Sequence, residues 1–110
     1  MRPAAAAPQT DFFWTVAEPL LDDPSTTIGS LMGFPCLRVD GAFFATCDHR
    51  SGDLIVKLPR SRVTELIDDG DAQPFAPAGR VFKEWALLPD RDAEQWRSLL
   101  AEARTYAASQ

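Results

Sequence analysis

Two residues capable of nucleophilic or metal chemistry, Cys47 and His49, stand two positions apart in the middle of the chain. On a continuing strand they share a face with Cys36, and Asp48 or Asp53 could complete a set of four zinc ligands. Structural zinc sites usually carry closely spaced ligand pairs, which this sequence lacks, so we expect no metal. A cysteine nucleophile needs the imidazole within hydrogen-bond reach and a third group to orient it. We therefore expect inert thiols, and a thiol or metal-dependent enzyme using Cys47 and His49 is an alternative.

Other catalytic patterns are weak. The chain has no glycine-rich phosphate loop of the Walker or dinucleotide type. Its paired carboxylates, Asp22 with Asp23 and Asp68 with Asp69, are adjacent residues whose side chains project apart, and both pairs stand at the ends of elements. The sequence thus predicts a non-enzymatic domain that needs no cofactor.

A cationic and aromatic group is the most informative feature for binding. Alternation along a strand from Val81 to Leu88 places Lys83 and Trp85 on one side, and Phe82, Glu84 and Ala86 on the other. If Arg38 and Lys57 share that face of a sheet, the surface suits a protein partner, a small anionic ligand or single-stranded nucleic acid. The alternative is a face covered by a second layer or by a homodimer seam.

Duplex DNA is the ligand of a further hypothesis, a transcriptional regulator. Its contacts would come from Arg60, Arg62 and Arg80 together with the lysines. The formal net charge of −5 repels a polyanion at long range, so the bulk charge disfavours this interpretation.

Size and composition favour one folded body. A chain of 110 residues with 45% hydrophobic and 25% charged residues lies close to ordinary globular values. Residues 1 to 9 are too weakly apolar for a secretory signal and are expected to form a disordered tail before a single domain over residues 10 to 110. No apolar run is long enough to span a membrane, and the two cysteines lie too far apart in the predicted hairpin for a disulfide. We expect a cytoplasmic protein with reduced thiols.

The middle of the chain predicts a β-meander. Asp40-Gly41 is a strong signal for a type I′ hairpin turn, because both central residues of that turn need positive φ. The predicted register pairs Val39 with Ala42, Arg38 with Phe43, Leu37 with Phe44, and Cys36 with Ala45. Alternation then places Leu37, Val39 and Phe44 on one face, and Cys36, Arg38, Phe43 and Cys47 on the other.

Helices are predicted on either side of the meander. One begins near Thr10 and kinks or ends near Pro19, a second follows Pro59 and ends at Gly70, and a third is capped by Asp90 or Asp92. The third presents Trp96, Leu99, Leu100, Ala103 and Tyr106 on one face. The predicted fold is α+β, in two layers, with a curved and mostly antiparallel sheet packed against helices in the order α-β-β-β-β-α-β-α.

A family resemblance agrees with this order. The segments GFPCLRVDGAFFA (33 to 45), DLIVKLP (53 to 59), PF (74 and 75) and GRVFKEW (79 to 85) resemble the TfoX N-terminal and MmcQ/YjbR-like families of small bacterial proteins. The resemblance implies a two-layer fold like that of secretion chaperones. These families carry labels such as competence regulation, DNA binding and drug resistance, and they offer no catalytic residue set to transfer. We expect a non-enzymatic binding or regulatory domain that engages a protein partner or small ligand through a sheet face.

Overall fold

Six hydrogen-bonded strands form the centre of the molecule. A computed structural model describes residues 7–31 and 33–110. The strands are β1 (Thr26–Leu31), β2 (Phe34–Val39), β3 (Ala42–Cys47), β4 (Leu54–Lys57), β5 (Gln73–Pro74) and β6 (Trp85–Leu88). The α-helices are α1 (Asp11–Ala17), α2 (Arg60–Asp68) and α3 (Ala93–Ala108). The predicted α+β class is confirmed, with one short strand, β5, added to the predicted order.

All strand pairs are antiparallel, in the order β1-β2-β3-β4-β6-β5. The predicted hairpin turn is confirmed, because Asp40 and Gly41 both have positive φ, 49° and 86°. The pairs of Val39 with Ala42 and of Arg38 with Phe43 are also confirmed. The meander therefore has the turn that its sequence predicts.

A register shift beyond that turn corrects the rest of the predicted pairing. Leu37 pairs with Ala45 rather than with Phe44, so Phe44 is an extra residue in β3, as in a β-bulge. Phe44 lies in the core with Leu37 and Val39, as predicted, and the extra residue reverses the alternation of the residues after it. Cys47 consequently pairs with Leu54 on the core face, and the predicted grouping of Cys47 with Cys36 and Arg38 is wrong.

The main core lies between one face of the sheet and helices α1 and α3. Large side chains that are fully buried there include Phe13, Leu37, Phe44, Leu54 and Trp96. Because neighbours along a strand point to opposite faces, the residues between the core positions define a second face. This second face carries Cys36, Arg38, Thr46, Ile55, Lys57, Trp85 and Leu87.

The helix ends follow the predicted signals. Helix α1 ends at Ala17, and Pro19 lies in the 3-10 turn that follows, where a proline does not interrupt an α-helical hydrogen bond. Gly70 has a φ of 81° just beyond α2. Asp92 caps α3, its carboxylate accepting a hydrogen bond from the backbone N–H of Gln95 at 3.0 Å. The prediction of three helices is confirmed.

The chain from residue 75 to residue 84 differs from its prediction. The strand predicted from Val81 begins only at Trp85, and a 3-10 turn occupies Pro77–Gly79. Phe75 and Pro77 line a groove with Cys36 and Ile55, so this segment partly covers the second face. Pro8–Thr10 forms another 3-10 turn, and most of the predicted tail lies outside the described residues.

No helix in the described ranges combines the length and hydrophobicity needed to cross a bilayer.

Candidate anion-binding cleft

A cleft opens where β4 ends and α2 begins. Its lining residues, which we call the cationic cleft, are Lys57, Arg60, Phe82, Lys83, Glu84 and Trp85. Lys57 is the last residue of β4, and Pro59 ends the strand's pairing and allows α2 to start at Arg60. Two cations three residues apart in sequence therefore reach the same opening.

A tight turn brings the third cation to the cleft. The backbone N–H of Trp85 donates to the carbonyl of Phe82 at 3.1 Å, which makes Lys83 and Glu84 the central residues of a β-turn. The Glu84 carbonyl accepts from the N–H of Leu58 at 2.9 Å and fixes this turn to the end of β4. Lys83 lies beside Lys57 for this reason, and not by the strand alternation that predicted it.

Trp85 provides the aromatic wall. It pairs directly with Lys57 across β4 and β6, and directly opposed side chains have Cβ atoms about 5 Å apart. Both side chains are partly buried and lie on the second face, since Val56 and Ala86 occupy the core side of the same strands. The cleft has a volume of about 320 Å³. This size is at the lower end of small-molecule sites, which span roughly 300 to 1,000 Å³.

Positive charge in the cleft is only partly compensated. Among the described residues, no acidic group lies within salt-bridge distance of Lys57, Arg60 or Lys83, which we call the cleft cations. The one carboxylate in the lining, Glu84, accepts a hydrogen bond from the Tyr106 hydroxyl at 2.8 Å. That hydrogen bond raises the pKa of Tyr106. Three positive charges thus face one negative charge.

Arg38, predicted to belong with these residues, lies elsewhere on the second face. Strand β3 separates its strand from Lys57, and its guanidinium carbon lies 5.7 Å from the ring centre of Phe43. A Cβ added at Gly29 would meet Arg38 Nε at 2.5 Å, so the side chain lies across β1. Arg38 packs on the sheet and does not line the cleft.

The three arginines of the DNA hypothesis are dispersed. Arg60 lines the cleft, whereas Arg62 donates to Glu102 at 2.8 Å and to Glu65. The hydrogen bond to Glu102 raises the pKa of Arg62. Arg80 lies over the ring of Phe82 at 5.4 Å. One of the three therefore contributes an uncompensated charge to the cleft.

Cys47 and His49 line one small pocket of about 120 Å³. The thiol of Cys47 is buried, and this burial is the main reason that its pKa rises to about 12. The His49 ring stacks on Phe34 with centroids 4.0 Å apart. A raised thiol pKa is the opposite of what a cysteine nucleophile needs. No group of three or more metal-ligating side chains occurs in residues 7–31 and 33–110.

The sequence interpretation missed several residues of the region. Alternation assigned Phe82 and Glu84 to the face opposite Lys83, but that rule fails before Trp85 because the chain turns there. The sequence predicts a role for Arg60 only in DNA binding, whereas the structure places Arg60 in the cleft. The Lys57-Leu58-Pro59-Arg60 sequence contained the useful signal, since a strand end followed by a helix-starting proline brings both cations to one end of the sheet.

Comparison with known proteins gives no relative from which a function could be inferred: no family model, no curated protein and no solved structure matches this chain. The resemblance to the TfoX N-terminal and MmcQ/YjbR-like families stays a prediction.

Proposed function

We propose that this chain is a non-enzymatic binding domain whose cationic cleft holds the anionic group of a small ligand. One observation carries the proposal: Lys57, Arg60 and Lys83 converge on one opening, and none of them has an acidic partner among the described residues. Like charges in proximity repel one another, so a bound anion would lower the electrostatic energy of the cleft. The favoured ligand bears a phosphate or carboxylate group.

Two local features support an anion. The N-terminus of α2 lies at Arg60, and its first turn contains no acidic residue that would neutralise the helix dipole. Lysine and arginine side chains bind anions through charge-assisted hydrogen bonds, which are stronger than neutral ones.

The other hypotheses have less support. A DNA-binding regulator would need several free cations along one surface, but Arg62 is held by Glu102 and Glu65. A thiol enzyme would need an ionised Cys47, whose pKa burial raises to about 12. A homodimer and a cytoplasmic location stay predictions.

The proposal is tested by titrating inorganic pyrophosphate and following backbone amide and indole resonances by NMR. We expect saturable shifts centred on Lys57, Arg60, Lys83 and Trp85, with an affinity that falls as salt is added. The double variant Lys57→Gln, Lys83→Gln should bind at least about tenfold more weakly, because two charge-assisted contacts are lost.

The matched control is Arg50→Gln, Arg97→Gln, which removes the same charge from two exposed positions outside the cleft. This control should bind pyrophosphate like the wild type. Shifts centred elsewhere, or equal weakening in both double variants, would contradict the proposal.

A further inference from the structure

An apolar pocket continues from the cationic cleft. Its volume is about 240 Å³, and it shares Arg60, Phe82, Lys83 and Trp85 with the cleft. The rest of its lining comes from α2, β5 and the segment before β6: Val63, Thr64, Ile67, Pro74 and Val81. A charged opening and an apolar pocket therefore meet at these four shared residues.

The rim of this pocket exposes large apolar side chains. Val81 is 52% exposed and Phe82 is 38% exposed. In the described ranges, the other large hydrophobic residues with comparable exposure are Leu31 and Phe34. Burying apolar surface contributes roughly 25 cal/mol per Å², so a ligand that covered this rim would gain affinity beyond its charge contacts.

Contacts around Phe82 hold the rim in place. Its backbone N–H donates to the carbonyl of Phe75 at 2.9 Å, and the two rings lie 5.8 Å apart. Arg80 covers another part of the Phe82 ring. The wall shared by the cleft and the pocket is consequently tied to its neighbours before any ligand binds, which reduces the ordering cost of binding.

We infer that the ligand is an amphipathic anion, with a phosphate or carboxylate head at Lys57, Arg60 and Lys83 and a compact apolar body between α2 and Phe82. This inference rests on the proposed anion-binding function and adds the chemistry of the ligand's uncharged part. The pocket volume of about 240 Å³ limits the body to a small apolar group, and a naphthyl ring is a compact probe of that kind.

Three probes separate the head from the body: inorganic phosphate, 1-naphthyl phosphate and the uncharged 1-naphthalenemethanol, each titrated by NMR. We expect 1-naphthyl phosphate to bind at least about tenfold more tightly than inorganic phosphate, since it adds apolar burial. The uncharged alcohol should bind more weakly than 1-naphthyl phosphate, because it makes no contact with the cleft cations.

A variant of the pocket rim tests where the body binds. Val81→Asn should keep the affinity for inorganic phosphate and lose most of the naphthyl advantage. Leu31→Asn, a matched change at another exposed hydrophobic residue outside both cavities, should alter neither.

The outcomes distinguish this inference from the proposed function. Equal affinity for inorganic phosphate and 1-naphthyl phosphate would overturn the amphipathic ligand and leave anion binding in place. Tight binding of the uncharged alcohol, or naphthyl shifts centred on Leu31 and Phe34, would also overturn it. Failure of every anionic probe to bind would overturn both.

Discussion

Six cations of the described residues form two groups with different surroundings. Arg62, Arg91 and Arg104, which we call the paired arginines, each form an ion pair with an acidic residue that is distant in the sequence: Glu102, Asp53 and Asp23. The cleft cations, Lys57, Arg60 and Lys83, have no such partner among the described residues. One group joins elements to one another, and the other lines an opening.

Arg104 illustrates the role of the paired arginines. It projects from α3, and its Nε donates to the hydroxyl of buried Thr26 at 2.7 Å. Its Nη2 donates to Asp23 at 2.8 Å and to the Ser25 hydroxyl at 2.5 Å. The final helix is thereby joined to the start of the edge strand β1. Such partners explain the charge without a ligand, whereas the cleft cations have no equivalent explanation within the described chain.

The largest expected effect comes from removing Arg104. Arg104→Met should lower the free energy of unfolding by about 2 kcal/mol, because a charge-assisted hydrogen bond is lost and the buried Thr26 hydroxyl loses its partner. Urea denaturation measures the loss, and Arg97→Met, an exposed change on the same helix, should cost no more than about 0.5 kcal/mol. Equal costs would contradict a structural role specific to Arg104.

A substitution at Gly29 tests whether Arg38, like the paired arginines, has a structural role. Gly29→Ala places a Cβ 2.5 Å from Arg38 Nε and 2.8 Å from its Cδ, so we expect a loss of about 1 kcal/mol as the side chain is displaced. The same substitution made in an Arg38→Ala background should cost almost nothing. A double-mutant cycle measured by urea denaturation gives the coupling, and a cost that is identical in both backgrounds would show that Arg38 does not pack there.

Acid should weaken the ion pair between Arg104, one of the paired arginines, and Asp23. Hydrogen bonds from the backbone and hydroxyl of Ser25, followed by the charge of Arg104, lower the pKa of Asp23 from its usual 3.8. The ionised form is thus favoured by folding, and its contribution is present above pH 3.8 and lost as the pH falls through the lower folded value. The difference in urea midpoint between wild type and Asp23→Asn should be constant near neutrality and shrink towards pH 3. A difference that is independent of pH would contradict this.

The smallest effect on stability is expected in the cleft. Lys57→Gln, Lys83→Gln should change the free energy of unfolding by no more than about 0.5 kcal/mol, because no ion pair with a described residue is broken. Sodium chloride should stabilise the wild type more than this variant, since salt screens the repulsion that the variant has lost. A loss above 1 kcal/mol in urea denaturation would assign these lysines a structural role.

Much of the fold was predictable because local signals dominate it. Asp40-Gly41 specifies its turn through the positive φ of both residues, and Pro19 ends α1 through its missing N–H. The register shift at Phe44 was not predictable from local signals. The extra residue in β3 is not visible in the alternation along one strand, and it places Cys47 on the core face.

The sequence predicts only part of the candidate site, namely the positions that follow from alternation along a strand. A period of two predicts the faces of Lys57 and Trp85 on their own strands. Their direct pairing across β4 and β6 is a feature of the sheet order, which alternation does not predict. Lys83 reached the cleft through a turn, and Arg60 through the start of α2, so neither position follows from strand alternation. Arg38 has the right face but the wrong strand, because the sheet order places β3 between it and the cleft.

Quenching of Trp85 fluorescence by charged quenchers tests the positive charge of the cleft most directly. Trp14 and Trp96 are only 2% and 0% exposed, so iodide and caesium should mainly quench Trp85, and Trp85→Phe should remove that signal. At matched ionic strength, the ratio of iodide to caesium quenching should be high in the wild type and in Arg50→Gln, Arg97→Gln. It should fall in Lys57→Gln, Lys83→Gln. The same ratio in all three proteins would contradict a cleft built to attract anions.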